Sequence, residues 1–147
     1  MTADAATLRA LIARLEAGET GEAIDVDIQK AFTPAFVDVE RSPVTGEVFA
    51  LLVKAPDSPC ADGLVLRTLW RVTRSVDAAI AFTERELPGA RLAMAVGGNF
   101  STAWIMRGWG ARTRYLSPAD ESGNDRDLPR LIVLATLKAK LAEMEAG

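Results

Sequence analysis

The chain has 147 residues, about the length of one domain, and its 49% hydrophobic and 25% charged residues are typical of a globular protein. Lys and Arg number 17 and Asp and Glu number 20, so the formal net charge is −3. Histidine is absent and there is one cysteine. This composition excludes a Ser-His-Asp triad, a His-containing zinc site, an intrachain disulfide and a cysteine-ligated iron–sulfur cluster. We therefore expect residues 1–147 to form a single non-catalytic domain that needs neither a metal nor a cofactor.

Targeting and membrane signals are absent from the sequence. The N-terminus has no positively charged segment followed by an apolar run, and no stretch is apolar for the roughly 18 residues that a membrane span needs. The mild acidity argues against general binding of nucleic acid, because affinity for phosphates comes from clustered Lys and Arg. These patterns predict a cytoplasmic protein that binds neither membranes nor nucleic acid.

Two helices are predicted in the first 32 residues. The first is indicated by an apolar stripe at helical spacing, and Gly18 is expected to end it. The residues of this stripe are Leu8, Leu11, Ile12 and Leu15. The second is predicted from Glu22 to about Phe32, before Pro34. Its expected buried face consists of Ala23, Ile24, Ile28 and Ala31.

Residues 33–69 are the least informative part of the sequence. Residues 48–54 are apolar and favour a short strand, whereas residues 55–63 have the composition of a loop. Several acidic residues are scattered between positions 25 and 77, and we interpret them as helix caps and solvated surface groups. They are Asp25, Asp27, Asp38, Glu40, Asp57, Asp62 and Asp77. Cys60 has no histidine to activate it, so it is interpreted as an unreactive thiol.

The second half predicts a helix, three strands and a closing helix. Ser75 is the expected N-cap of a helix that ends before Pro88. The strands are predicted at 91–96, 101–107 and 111–116, joined by turns at 97–99 and 108–110. A polar loop at 117–127 precedes the closing helix. That helix is indicated by apolar residues that recur at spacings of three and four, Leu131, Leu134, Leu137, Leu141 and Met144. We expect an α+β fold, a three-layer α–β–α sandwich with a small, mainly antiparallel β-meander covered by helices.

Three segments resemble the phage ABA sandwich domain family of small tailed-phage and prophage proteins. Residues 73–79 read Thr-Arg-Ser-Val-Asp-Ala-Ala, and residues 129–139 read Pro-Arg-Leu-Ile-Val-Leu-Ala-Thr-Leu-Lys-Ala. Residues 11–17, Leu-Ile-Ala-Arg-Leu-Glu-Ala, complete the match, although the family's usual Thr before the closing-helix Pro is Leu128 here. The resemblance implies this fold and a phage setting, in the host cytoplasm or in the virion. It assigns no catalytic residue.

The predicted binding surface carries Arg107, Trp109, Arg112 and Arg114. Residues 89–118 contain four arginines and no acid, and arginine beside aromatic side chains is typical of protein interfaces and of sites for flat anions. The competing interpretation is that these arginines only solvate an open sheet face.

We expect an accessory protein that binds a host or phage protein. The alternatives are a self-associating virion or assembly component and a protein that sequesters a nucleotide-like small anion.

Overall fold

The computed structural model describes residues 3–96, 101–107, 114–119 and 128–146. The described helices are α1 (Ala5–Glu16), α2 (Glu22–Phe32), α3 (Val76–Glu86) and α4 (Leu128–Ala146). The described strands are β1 (Phe36–Arg41), β2 (Val48–Lys54), β3 (Leu64–Thr68), β4 (Arg91–Val96), β5 (Ser101–Arg107) and β6 (Arg114–Ala119).

The six strands form two antiparallel meanders. Sheet 1 has the order β1-β2-β3, and sheet 2 has the order β4-β5-β6. Helix α4 packs against β5 and β6 of sheet 2 and also against α1 and α3. The predicted fold class, α+β with a small antiparallel meander covered by helices, is confirmed. Sheet 1 is a second meander that the sequence did not reveal.

Helix α4 is the centre of the hydrophobic core. Every residue from Leu128 to Leu137 is buried, so this half of the helix is enclosed on all sides. A helix in this position needs apolar residues around its whole circumference, and the consecutive residues 131–134 supply them. The predicted burial of Leu134 and Leu137 is confirmed, whereas Met144 near the C-terminal end is 39% exposed.

The N-terminal helices follow the predicted positions with one correction. The apolar stripe of α1 is buried as predicted, and the Asp4 carboxylate caps the helix by accepting a hydrogen bond from the Thr7 N–H at 2.8 Å. Helix α2 has the predicted bounds, but Ala23 is exposed. The buried residues of α2 are Ile24, Asp25, Ile28, Gln29 and Phe32. The buried face of α2 is therefore partly polar.

Sheet 1 occupies the stretch that the sequence left mostly unassigned. Its central strand β2 is the one predicted at 48–54. The inner face of the sheet packs on Val26 of α2 and buries Val48, Leu51, Val53 and Leu69. Sheet 1 therefore has a small apolar cluster of its own, distinct from the larger core around α4.

The third strand of sheet 2 extends beyond its predicted end. Its described part is Arg114–Ala119, so residues 117–119, which were expected in the polar loop, belong to the strand, and the predicted residues 111–113 lie outside the described part of the structure. Pro118 fits there because β6 is an edge strand of the described sheet, where one missing N–H is tolerated.

The start of α3 agrees with its prediction. The Ser75 side chain accepts a hydrogen bond from the Ala78 N–H at 3.3 Å, and Leu87 follows the last helical residue. Gly89 adopts a φ of 81°, which lets the chain turn towards β4.

Candidate functional site

The predicted arginine and aromatic surface lies mostly outside the described residues. Arg107 and Arg114 are Cα partners across β5 and β6, so the sheet brings these two positions together. Their side chains lie outside the described part of the structure, as do Trp109 and Arg112. Binding through this surface stays a prediction.

A buried polar network joins α2 to the segment before α3. The Asp25 carboxylate is fully buried and accepts hydrogen bonds from the Thr73 N–H at 2.9 Å, the Thr73 hydroxyl at 2.6 Å and Arg74 Nε at 2.8 Å. The interpretation of Asp25 as a solvated surface group was wrong, because these partners replace water. Thr73 and Arg74 are also the first residues of the segment that resembles the phage family. Their described role here is structural.

Neighbouring contacts hold the base of sheet 1 against the helices. The Gln29 side chain donates to the Trp70 carbonyl at 2.5 Å, so α2 is tied to the chain where it leaves β3. Glu22 accepts hydrogen bonds from the Val48 N–H at 3.0 Å and from Arg41 at 3.1 Å. The Val48 N–H, more than Arg41, lowers the pKa of the Glu22 carboxyl. Helix α2 is therefore hydrogen-bonded to sheet 1 where β1 ends and β2 begins, and to the chain just after β3.

The outer face of sheet 1 points away from α2. Residues paired across antiparallel strands share a face, so Leu52 and Leu66 lie on the side opposite to the buried Leu51. Leu64, paired with Lys54, lies on the same outer side. We define the outer face by Asp38, Glu40, Leu52, Leu64 and Leu66. A cavity of about 570 Å³ lies between this face and the loop that carries Cys60.

Carboxylates surround the apolar centre of the outer face. Asp38 is the Cα partner of Leu52, and Glu40 lines the cavity together with Asp62. Lys54, paired with Leu64, places a cation on the same side of the sheet. Asp38 and Asp62 each accept a hydrogen bond from a nearby main-chain N–H, which fixes their carboxylates at the surface. The surface is apolar at its centre and net negative at its rim.

Exposed apolar side chains concentrate on sheet 1. Within the described part of the chain, six large hydrophobic residues are exposed, and four of them belong to residues 37–66. These four are Val37, Val44, Phe49 and Leu66. Apolar residues that a fold leaves uncovered in one region are a feature of interaction surfaces. Cys60 is an exposed free thiol at the rim of the outer face.

A second groove, between α1 and α2, is occupied by paired charges. It encloses about 480 Å³, and Arg14 reaches across it to Asp27 at 2.6 Å and also binds Glu19. Hydrogen bonds to both carboxylates raise the pKa of Arg14, and the Arg14 guanidinium lowers the pKa of Glu19. Arg14, Asp27 and Glu19 satisfy one another, so these three charges are already paired within the protein.

Metal and membrane features are not found in the described ranges. No group of three or more Cys, Asp or Glu side chains is arranged there to hold a metal ion, and none of the helices described has the length and apolar character to cross a membrane. Comparisons with protein-family models, curated proteins and solved structures returned no match. The resemblance to the phage ABA sandwich domain family stays a prediction.

Proposed function

We propose that this chain is a non-catalytic binding protein that recognises a protein partner through the outer face of sheet 1. The observation that carries the proposal is Leu66, which is 53% exposed beside the half-buried Leu52 and Leu64 on the face of sheet 1 that is opposite to its buried cluster. A sheet with one face packed and one face open normally alternates apolar and polar residues. Here Leu52 and Leu66 are apolar residues on the open side.

The charge around the face specifies the partner. Asp38, Glu40 and Asp62 surround the leucines, so a segment with apolar residues flanked by Lys or Arg would satisfy both parts of the surface. An acidic segment would meet like charges. The partner we propose is therefore a protein that presents a basic, apolar segment. That this protein belongs to a phage or its host remains a prediction.

A displayed library of random peptides provides a direct test. Peptides selected on the wild-type protein should carry apolar residues beside Lys or Arg, and their affinity is then measured by calorimetry. Leu66→Lys places a cation at the centre of the face, and we expect it to weaken binding by about tenfold or more. Peptides enriched in acidic residues, or no enrichment at all, would contradict the proposed partner chemistry.

Val44→Lys is the matched control. Val44 is 90% exposed on the β1–β2 turn, outside the outer face, so the same chemical change there should leave peptide affinity unchanged. A maleimide label on Cys60, at the rim of the face, should report binding of the same peptides. Light scattering over a range of concentrations tests the alternative that the chain self-associates through this face. An oligomer that Leu66→Lys dissociates would show that the face binds a second copy of this chain.

A further inference from the structure

A cleft lies on the inner side of sheet 1, between the sheet and the helices. It encloses about 380 Å³, within the size range of small-molecule pockets. Phe32 and Leu51 contribute apolar walls, and the lining also includes Trp70, Arg67, Arg85 and Gln29. The cleft is on the side of sheet 1 opposite to the outer face, so it is separate from the proposed protein-binding surface.

Arg85 is held in a fixed orientation at one wall of the cleft. Its guanidinium carbon lies 4.6 Å from the centre of the Trp70 ring and 5.6 Å from that of Phe82. Its Nε donates to the Glu86 carboxylate at 2.8 Å. A planar guanidinium stacked on rings and fixed by one hydrogen bond keeps the N–H groups of its two terminal nitrogens for other acceptors. Arg85 is therefore prepared to bind an anion in a bidentate manner.

Two further polar groups converge on the same space. Arg67 is exposed and makes no hydrogen bond or ion pair with the described part of the chain; its Cα partner is Leu51, which lines the cleft. Gln29 is only 3% exposed, and the hydrogen bond to the Trp70 carbonyl uses one of its two amide N–H groups. Arg85 pairs with the Glu86 carboxylate through Nε only, so the three charged groups of the lining, Arg67, Arg85 and Glu86, leave the cleft with a net positive charge.

We propose that this cleft binds a small anion that carries a flat aromatic ring, with Arg67 and Arg85 holding its phosphate or carboxylate. The two arginines supply the charge, and the apolar walls provide the surface against which a ring can pack. A bare inorganic anion would leave those walls unused. Gln29 would fix the orientation of the ring by donating or accepting a hydrogen bond at its edge.

Calorimetric titration of the full chain with three probes tests the proposal. The probes are adenosine monophosphate, indole carboxylate and inorganic phosphate. At least one aromatic anion should bind with a dissociation constant below about 1 mM and at least about tenfold more tightly than inorganic phosphate. The better of the two aromatic probes distinguishes a phosphate ligand from a carboxylate ligand. If neither aromatic probe binds below this limit, or if inorganic phosphate binds equally well, the proposal is wrong.

Variants then locate the site. Arg67→Ser should weaken the aromatic anion by about tenfold, because one charged hydrogen-bond donor is lost. Arg85→Lys keeps the charge but removes the planar fork, so a similar loss is expected. Arg71→Ser is the control: Arg71 is an exposed arginine next to Trp70 and does not line the cleft. Equal weakening by Arg71→Ser would indicate nonspecific attraction and overturn the assignment, whereas Leu66→Lys should leave this binding unchanged.

Discussion

Removing the Asp25 carboxylate should be the most damaging single polar change in the described part of the fold. In Asp25→Ala the Thr73 N–H and hydroxyl lose their acceptor, and Thr73 is 1% exposed, so water cannot easily replace it. Hydrogen bonds to a charged group contribute about 1.5–3 kcal/mol each, and breaking a buried ion pair costs about 3–5 kcal/mol. We expect the free energy of unfolding to fall by about 3–5 kcal/mol.

Removing Arg74, the cation that pairs with Asp25, should destabilise the fold less than removing Asp25. The Arg74 side chain is 34% exposed, so water can reach the carboxylate after Arg74→Ala, and both hydrogen bonds from Thr73 remain. We expect a loss of about 2 kcal/mol for Arg74→Ala. The double variant should lose less than the sum of the two single losses, by about 1–2 kcal/mol, because the two groups interact directly.

Urea unfolding followed by circular dichroism measures these differences. Asp27→Ala is the matched control: Asp27 lies on the same helix, pairs with Arg14 at the surface, and should contribute at most about 1 kcal/mol. Asp25→Asn, which keeps an acceptor for Thr73, provides an intermediate variant if Asp25→Ala does not fold. A loss below about 1 kcal/mol for Asp25→Ala, or a larger loss for Arg74→Ala, would refute the reasoning.

Two further predictions concern the charge at the base of sheet 1 and the core. The pKa of Glu22 is lowered by folding, so its contribution to stability is present above its unfolded pKa of about 4.3 and is lost as the pH falls through the folded pKa. Glu22→Gln should therefore lower Tm at about pH 7 more than at about pH 3; an equal loss at both would contradict this assignment. Leu137→Ala should lower the free energy of unfolding in urea by about 2–5 kcal/mol, because Leu137 is fully buried. Leu141→Ala should lower it less, because Leu141 is only half-buried. Equal losses would argue against the central position of α4.

Local patterns predicted the helices well because the decisive interactions are local. The stripe of α1 and the Ser75 cap of α3 depend on residues three to seven positions apart, and the structure confirms both. The burial of Asp25 depends instead on partners 48 and 49 residues later, which no local pattern reveals. The signal that was missed is the polar pair Thr73 and Arg74 immediately before the cap.

Strand β2 of sheet 1 was predicted, but its neighbour β1 was missed for a different physical reason. Its register shifts between Phe36 and Asp38 in β1, and again between Glu40 and Arg41. The pairing leaves Val37 as an extra residue, so the alternation of inward and outward residues, which is the usual signal of a strand, breaks within β1. The candidate surface was missed because the two faces of the sheet could not be assigned without the pairing that places Leu66 beside Leu52.

The two proposed sites lie on opposite faces of sheet 1 and favour ligands of opposite charge. The outer face presents Asp38 and Glu40 to a cation, whereas the cleft presents Arg67 and Arg85 to an anion. A layer that packs on a sheet lies about 10 Å from it, so two ligands on opposite faces of sheet 1 are farther apart than the roughly 8 Å over which physiological salt screens charges. Direct attraction between two bound ligands is therefore weak. Any coupling between the sites therefore passes through the strands that carry both of them: Leu51 of β2 and Arg67 of β3 line the cleft, and their neighbours Leu52 and Leu66 lie on the outer face.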